Sequence, residues 1–195
     1  MVDKNVEYYN ENADSFFDGS VVADMSESRD KFTALLPEKA AVLDAGCGSG
    51  RDSKAFMEAG YEVTAFDASP EMRKRASEYI GQEVLDMRFE EMSFENKFDG
   101  IWASASLLHV PMDQLPEIMG KMNKALKDGG VIYASFKYGD GTKMRGERKF
   151  SDFNEKSVIP LFENAGFEIL RNDVGSDNRP GRESEMWVEV IARKE

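Results

Sequence analysis

The stretch VLDAGCGSGRDS, residues 42–53, decides the fold. It begins as a short apolar run that ends in an acid, Asp44, and continues with three closely spaced glycines, Gly46, Gly48 and Gly50. Glycine lets the backbone approach a ligand closely, and the free amide groups at the start of a following helix can receive an anionic group. The stretch therefore predicts a strand, a ligand-binding turn and a helix, in that order.

Strand and helix patterns alternate along the chain around this turn. Apolar runs that predict strands lie at 40–46, 61–67, 83–87, 98–104 and 131–137. Helical patterns that predict the connections lie at 51–60, 69–81 and 115–126, the last ended by Gly129 and Gly130. Such alternation is typical of a mainly parallel sheet with helices on both faces.

The two ends of the chain break this alternation. Aromatic and aliphatic residues in the first forty positions predict amphipathic helices, stopped by Pro37. Near the C-terminus, residues 154–166 predict a helix kinked at Pro160, and residues 166–174 and 186–194 predict two strands. The polar segment between these strands is too short for a crossover helix, so we expect them to pair antiparallel.

The predicted fold class is α/β, a doubly wound, Rossmann-like sheet of seven strands. The sheet is expected to be mainly parallel with an antiparallel last strand, and the N-terminal helices to form a cap. We expect a single domain over residues 1–195, with the cap at 1–38 and the core at 39–195.

Composition and charge narrow the class of protein. Of the 195 residues, 41% are hydrophobic and 32% are charged, as in ordinary soluble globular proteins. No apolar run is long enough for a membrane span, and the acidic N-terminus lacks the apolar core of a secretory signal, so we expect a cytoplasmic protein with no membrane partner. The net charge of −12 opposes binding of duplex nucleic acid over a broad face. With one cysteine, Cys47, an intrachain disulfide and paired-cysteine zinc sites are excluded.

The spacing of the glycines separates two kinds of nucleoside ligand. A dinucleotide-binding turn has the pattern G-x-G-x-x-G, which would require glycine at position 51, where the chain has Arg51. The third glycine comes early instead, at Gly50. Asp67, at the end of the second predicted strand, is placed to accept both hydroxyls of a ribose. The turn therefore favours a nucleoside ligand other than a dinucleotide.

An acid, the pattern G-x-G-x-G and a second acid, in this order, resemble the class I S-adenosylmethionine-dependent methyltransferase family. The segments FDASPEM (66–72), LDMRFEEM (85–92) and FDGIWASASLLHVP (98–111) resemble motifs of the same family at successive strand ends. The resemblance covers nearly the whole chain and implies S-adenosylmethionine as the cofactor, with S-adenosylhomocysteine as its product. The cofactor-binding residues that it implies are Tyr9, Asp44, Ala45, Gly46, Cys47, Gly48, Arg51, Asp52, Asp67, Ala68, Met72, Met87, Arg88 and Ala103.

Two interpretations are open for Tyr9, which lies in the segment EYYNENADSFF, residues 7–17. The family resemblance makes this segment the helix that closes over the cofactor, with Tyr9 facing the methionine carboxylate. In the alternative, Tyr8 and Tyr9 only anchor the cap helix on the core.

The catalytic residue stays unassigned, because transfer of an activated methyl group mainly requires alignment in a dry pocket. His109, just past the fourth predicted strand, is the candidate: it is either a general base or a neutral histidine bonded to backbone beside Pro111. Cys47 lies inside the turn and is interpreted as a small buried residue, which excludes carbon-5 pyrimidine methylation. Residues 103–106 lack the Asn/Asp-Pro-Pro-Tyr segment of amino-directed nucleic-acid methyltransferases, and no carboxylate cluster predicts a metal site.

The basic stretch KYGDGTKMRGERK, residues 137–149, bears on the methyl acceptor. It is either a solvated surface loop or a local anion site on the acceptor side of the pocket. The substrate-binding candidates are His109, Lys137, Arg145, Arg148 and Arg182.

The predicted function is methyl transfer from S-adenosylmethionine to a small-molecule acceptor, by a monomer or a weak homodimer. The chain also resembles tellurite-resistance-type enzymes and methyltransferases that act on a carboxymethylated wobble uridine in tRNA. Transfer to tRNA is therefore an alternative, although the net charge opposes it. A third hypothesis is a non-catalytic protein that binds the cofactor and regulates a partner.

Overall fold

The computed structural model describes residues 3–179 and 181–195. Within these residues the chain forms seven α-helices and nine β-strands. The helices are α1 (Lys4–Glu11), α2 (Ala13–Val21), α3 (Ser26–Thr33), α4 (Arg51–Glu58), α5 (Pro70–Ile80), α6 (Leu115–Ala125) and α7 (Ile159–Glu163). The strands are β1 (Ala41–Ala45), β2 (Glu62–Asp67), β3 (Leu85–Asp86), β4 (Phe98–Ala103), β5 (Leu126–Lys137), β6 (Gly141–Arg145), β7 (Arg148–Asp152), β8 (Phe167–Ser176) and β9 (Met186–Lys194).

Seven of these strands form one sheet in the order β3-β2-β1-β4-β5-β9-β8. Strands β1, β2, β3, β4 and β5 pair in parallel, whereas β9 runs antiparallel to both β5 and β8. The predicted fold class is thus confirmed, including the antiparallel last strand. Strand order reverses between β1 and β4, which opens a crevice at the carboxyl ends of these strands.

Both faces of the sheet are buried, as the near-continuous apolar strands require. Alternate residues of β1 point to opposite faces, so Leu43 packs under α6 and Val42 packs in the cluster that contains Phe32 of the cap. On that second face the rings of Trp102 and Tyr133 stack 3.8 Å apart. This core holds the strand ends in place around the crevice.

Helix α5 begins and ends where the sequence predicts. The Ser69 side chain accepts a hydrogen bond from the Met72 amide, and Pro70 occupies the first turn. Gly81 ends the helix in the left-handed conformation. Helices α1, α2 and α3 likewise confirm the helical N-terminus, while the division into a cap at 1–38 and a core at 39–195 stays a prediction.

The end of α6 differs from the prediction. The helix stops at Ala125, before Gly129 and Gly130, because Leu126 already adopts an extended conformation and pairs with Phe98 of β4. Burial of Leu126 in the sheet outweighs the helical pattern there.

The basic stretch begins at Lys137, the last residue of β5, and most of it belongs to a β-hairpin. Strands β6 and β7 pair from Gly141 opposite Asp152 to Arg145 opposite Arg148. Phe150 is buried, and the Ser151 hydroxyl donates to the Val110 carbonyl at 2.8 Å, so tertiary contacts hold the hairpin against the end of β4.

The predicted kink at Pro160 is wrong. Helix α7 begins only at Ile159, which places Pro160 in the first turn, where proline is tolerated. The residues before it form a turn in which the Asn154 side chain accepts from the Lys156 and Ser157 amides. Within the described residues, no helix is both long and apolar enough to cross a membrane.

Candidate cofactor and acceptor site

A cavity of about 1070 Å³ lies at the carboxyl ends of the central strands. Its floor includes Gly46 after β1, Asp67 after β2 and Ser104 after β4, and the cap contributes Tyr9 and Phe16 to its wall. The volume is of the size that cofactor-sized ligands occupy. The cavity is therefore at the switch point where this type of sheet binds ligands.

The glycine turn is packed too tightly for side chains. Gly46 has a φ of 75°, and a Cβ placed there would lie 2.7 Å from the Cβ of Ser106. The Gly46 and Cys47 amides donate to the Phe66 carbonyl at 3.0 and 2.9 Å, and the Ser106 hydroxyl donates to the Ala45 carbonyl at 2.7 Å. The turn is thereby held between β2 and the end of β4, with its backbone facing the cavity.

Asp67 fits the ribose role that the sequence predicts. One carboxylate oxygen accepts from the Gly48 amide and the other from the Ser69 amide, both at 2.9 Å. A carboxylate has about four lone-pair positions, so about two remain for the hydroxyls of a ligand. Burial raises the pKa of Asp67 above its ordinary value. Hydrogen-bond donors that approach the carboxylate stabilise its charged form. The residues of the turn and Asp67 together fit the adenosyl cofactor.

Asp44 and Asp52 lie behind the glycine turn, and their pKa values are shifted in opposite directions. Burial raises the pKa of Asp44 to about 7, helped by repulsion from Asp52, and the Ser53 hydroxyl donates to it at 2.6 Å. Burial alone would raise the pKa of Asp52, but Arg51, Arg29 and the Trp102 indole lower it below its ordinary value. Arg51 and Arg29 approach it at 2.5 and 2.6 Å. Asp52 thus links α4 to the cap helix α3, in addition to lining the cavity.

Most of the predicted cofactor residues meet at this cavity. Its wall contains Tyr9, Asp44, Gly46, Cys47, Gly48, Arg51, Asp52, Asp67, Ala68, Met72, Met87 and Arg88. Ala45 and Ala103 are fully buried in the sheet, and their side chains lie behind this wall. Their predicted contact with the cofactor is thereby limited to backbone atoms.

His109 bonds to the cap helix. Its Nε2 lies 2.8 Å from the Tyr9 hydroxyl, and the two rings meet edge to face. Burial lowers the pKa of His109 to about 4, so the ring is neutral at pH 7. Burial also raises the pKa of Tyr9. The geometry places His109 in the cavity wall, but a group with this pKa is a weak base at neutral pH.

The basic candidates do not form a cluster of uncompensated cations. Three of the four are paired with carboxylates in the described structure: Lys137 with Asp177 and Glu185, Arg145 with Asp152, and Arg182 with Glu185. All four line the cavity. Of the four basic candidates, Arg148 is the one that forms no salt bridge with the described residues, so the expected four-residue anion site is reduced to one residue.

Sequence reasoning missed one wall residue, Phe150, which lines the cavity beside the basic candidates. Arg179 and Trp187 line the same cavity, and Trp187 donates its indole N–H to Asp177 at 2.9 Å. Phe150 was hidden because residues 137–149 lack an apolar pattern that indicates a hairpin. In residues 3–179 and 181–195, no group of three or more His, Cys, Asp or Glu side chains is arranged to hold a metal ion.

Comparison with known proteins agrees with this geometry. Residues 42–130 match the model of a methyltransferase domain family. The chain is 34% identical over 108 residues to a malonyl-[acyl-carrier protein] O-methyltransferase of Pectobacterium atrosepticum, which covers 54% of this chain and 42% of the relative. The chain spans less than half the length of the first curated relatives that it matches.

Two solved structures share the fold over nearly the whole chain. A 1,6-didemethyltoxoflavin-N1-methyltransferase of Burkholderia thailandensis, with bound S-adenosylhomocysteine, matches with a TM-score of 0.79 and 25% identity, covering 97% of this chain and 85% of the other. The [4+2]-cyclase SpnF matches with a TM-score of 0.75 and 16% identity, covering 99% and 96%. The second likeness concerns the fold alone. The fold, the glycine turn and these similarities agree with the resemblance to class I S-adenosylmethionine-dependent methyltransferases, and the family match itself covers residues 42–130.

Proposed function

We propose that the chain transfers a methyl group from S-adenosylmethionine to a small-molecule acceptor. The observation that carries the proposal is the glycine turn facing Asp67 across the 1070 Å³ cavity, with acceptor positions on Asp67 left for a ribose. The relative from Pectobacterium and the structure from Burkholderia are methyltransferases whose names specify malonyl-[acyl-carrier protein] and 1,6-didemethyltoxoflavin. Their acceptors support the small-molecule class without identifying the acceptor of this chain.

The residues of the chain mainly bind, align and shield the reactants. Bound S-adenosylmethionine supplies an electrophilic methyl group on a sulfonium. Backbone groups of the turn and Asp67 hold the nucleoside end, and Tyr9 and Phe16 of the cap cover the cavity and exclude water. His109, neutral and bonded to Tyr9, orients that ring instead of removing a proton.

The tRNA alternative loses support. Besides the net charge of −12, three basic candidates around the cavity are paired with carboxylates, which leaves little positive potential for phosphates. Product formation distinguishes the enzyme from the regulatory alternative, because both a sensor and an enzyme would bind the cofactor. The SpnF likeness shows why that test matters, since its name specifies a cyclase.

The test combines binding with turnover. Calorimetry with S-adenosylhomocysteine should show binding by the wild-type chain, and failure to bind would contradict the cofactor assignment. Methyl-labelled cofactor is then incubated with metabolite pools and, separately, with total tRNA, and products are identified by mass spectrometry. We expect label in a small molecule. Binding without product from either pool would favour the regulatory hypothesis.

Three further parts of this proposal concern the whole protein. We propose one domain over residues 1–195, a monomer or weak homodimer, and a cytoplasmic location. Light scattering over a range of protein concentrations tests the oligomeric state. A mass that stays at that of a tight higher oligomer would contradict a monomer or weak homodimer.

A further inference from the structure

Arg148 stands in an unusual position on the acceptor side of the cavity. Arg148 is the first residue of β7 and packs among Tyr8, Tyr9, His109 and Phe150. We call these five residues the Arg148 cluster. Its guanidinium carbon lies 4.0 Å from the centroid of the Tyr8 ring and 5.1 Å from that of Phe150. One guanidinium nitrogen donates to the Tyr9 hydroxyl at 3.3 Å.

The charge of Arg148 is not neutralised by the protein. In the described residues it forms no salt bridge, and its buried Nε has no hydrogen-bond partner. By contrast, Arg145 on the neighbouring strand makes two hydrogen bonds to Asp152, at 2.8 and 2.5 Å. In a chain with 37 acidic residues, an arginine in a cavity wall without a carboxylate is a site for an outside anion.

The other members of the Arg148 cluster carry no positive charge that would compete with Arg148 for an anion. His109 is neutral at pH 7 because burial lowers its pKa to about 4, and burial raises the pKa of Tyr9, which stays protonated. Arg148 is thus the charged member of the Arg148 cluster. The ring centroids of His109 and Phe150 lie 4.8 Å apart, and those of Tyr9 and His109 5.3 Å, so the surroundings of the guanidinium are largely aromatic.

The topology places this site away from the cofactor end of the cavity. The glycine turn and Asp67 belong to β1 and β2, whereas Arg148 lies on the hairpin that packs against the turn Leu107–His109 after β4. The hairpin is fastened to the cap by two hydrogen bonds between Asn5 and the backbone of Lys149, at 3.1 and 3.0 Å. Arg148 therefore lies on a different element from Asp67 and the glycine turn, which fit the nucleoside.

We propose that Arg148 binds the carboxylate of the methyl acceptor, and that the acceptor is a small anionic molecule with a planar apolar body. This inference rests on the proposed function, because it assigns the second ligand of the same cavity. The fork of the guanidinium pairs with the two oxygens of a carboxylate, and the rings of the Arg148 cluster cover the apolar body.

The binding test uses simple probes in matched pairs. Benzoate and benzamide, and phenylacetate and phenylacetamide, are titrated by calorimetry into protein saturated with S-adenosylhomocysteine. We expect each acid to bind more tightly than its amide. Arg148→Gln should lower the affinity for the acids by roughly tenfold or more and remove the preference, whereas Arg148→Lys should restore part of it, since lysine keeps the charge without the fork.

A matched control is Lys143→Gln, which removes one positive charge from an exposed position of the same hairpin, on β6. It should leave acid binding unchanged. Absence of an acid-over-amide preference in the wild-type chain, or the same loss in Lys143→Gln as in Arg148→Gln, overturns the proposal.

A second arm separates the acceptor from the cofactor, which also carries a carboxylate. S-adenosylhomocysteine and 5′-methylthioadenosine, which lacks the amino-acid group, are titrated into both wild type and Arg148→Gln. We expect both affinities to stay within about twofold, which also shows that the variant is folded. Loss of S-adenosylhomocysteine binding with 5′-methylthioadenosine unaffected assigns Arg148 to the cofactor and overturns the proposal. If wild type fails to bind S-adenosylhomocysteine, the proposed function itself fails.

Discussion

At the residue scale, the sequence predicts the identity of the site better than its internal bonding. Asp67 and Gly46 occupy the positions that the motif implies. The bonds of Asp52 to Arg29 and Trp102 join residues 23 and 50 positions apart, and no local pattern indicates them. Local spacing encodes the backbone turn, whereas side-chain partners from distant elements depend on how the sheet and the cap come together.

Gly46→Ala tests the close packing of the turn. Both Gly46 and Gly60 have positive φ, 75° and 90°, but only at Gly46 would a Cβ meet another atom within 3 Å. Each alanine should cost roughly 1–2 kcal/mol for the left-handed backbone, and Gly46→Ala should also lose S-adenosylhomocysteine binding by about tenfold or more. Urea unfolding and calorimetry measure the two effects. Equal affinity for S-adenosylhomocysteine in Gly46→Ala and Gly60→Ala would show that the close contact with Ser106 does not matter for cofactor binding.

Asp67→Asn tests the ribose role. The substitution keeps the shape but removes the charge and one acceptor, so affinity for S-adenosylhomocysteine should fall by roughly tenfold to a hundredfold, the equivalent of about 1.5–3 kcal/mol. The control is Asp86→Asn at the end of the neighbouring strand β3, where the carboxylate is 78% exposed and lies outside the cavity wall. Unchanged affinity in Asp67→Asn would remove this residue from the binding site.

At the element scale, the cap helix α1 depends on polar contacts. Its residues are half-buried or exposed, and an isolated helix of eight residues is marginal in water. It is held by Asn5 on Lys149, by Asn10 on Ser69 and by Asp3 on Arg88. The helical pattern of α1 was predictable, but its docking on the hairpin was not, because the hairpin itself forms only through tertiary contacts.

Asn5→Ala should loosen α1 from the hairpin. It removes two hydrogen bonds to Lys149, at 3.1 and 3.0 Å, each worth about 1 kcal/mol. We expect faster amide hydrogen exchange in residues 4–11 and 148–150, with little change in the core strands. Lys4→Ala is the control, because the salt bridge that Lys4 forms within the described residues is with Glu7 of the same helix. Matching exchange in the two variants would exclude this docking contact.

At the scale of the whole molecule, charge and stability are collective properties. The net charge of −12 is read directly from the sequence. The raised pKa of Asp44 is not, because it depends on burial of the carboxyl in the folded chain and on repulsion from Asp52. The formal charge therefore predicts which partners are repelled, and the tertiary structure decides which acids keep a proton.

Asp44 should make the free energy of unfolding depend on pH. Its pKa is about 7 in the folded chain and near 3.8 when unfolded, so the folded state retains a proton that the unfolded state releases between these values. The stabilising contribution of Asp44 to the free energy of unfolding is full below about pH 4 and is lost as the pH rises to 7. Urea unfolding at several pH values should show wild type losing stability relative to Asp44→Asn over this range. A constant difference would contradict the assigned burial.

The charge also predicts weak binding of tRNA. Filter binding at 50 and 200 mM salt should retain little tRNA, because the acidic surface repels phosphates. Strong retention at low salt with a steep salt dependence would favour tRNA as the acceptor.

The sequence by itself determined the order of strands and helices, the glycine turn and the acids at the ends of β1 and β2, because these depend on local conformation and hydrophobic periodicity. Only the tertiary structure decided that residues 141–152 form a hairpin, that His109 is neutral and bonded to Tyr9, and that Arg148 alone among the basic candidates lacks a carboxylate in the described residues. Pairing, burial and charge compensation depend on which distant elements meet. The turn thus identifies the methyl donor, whereas the residues proposed to bind the acceptor meet only in the assembled cavity wall.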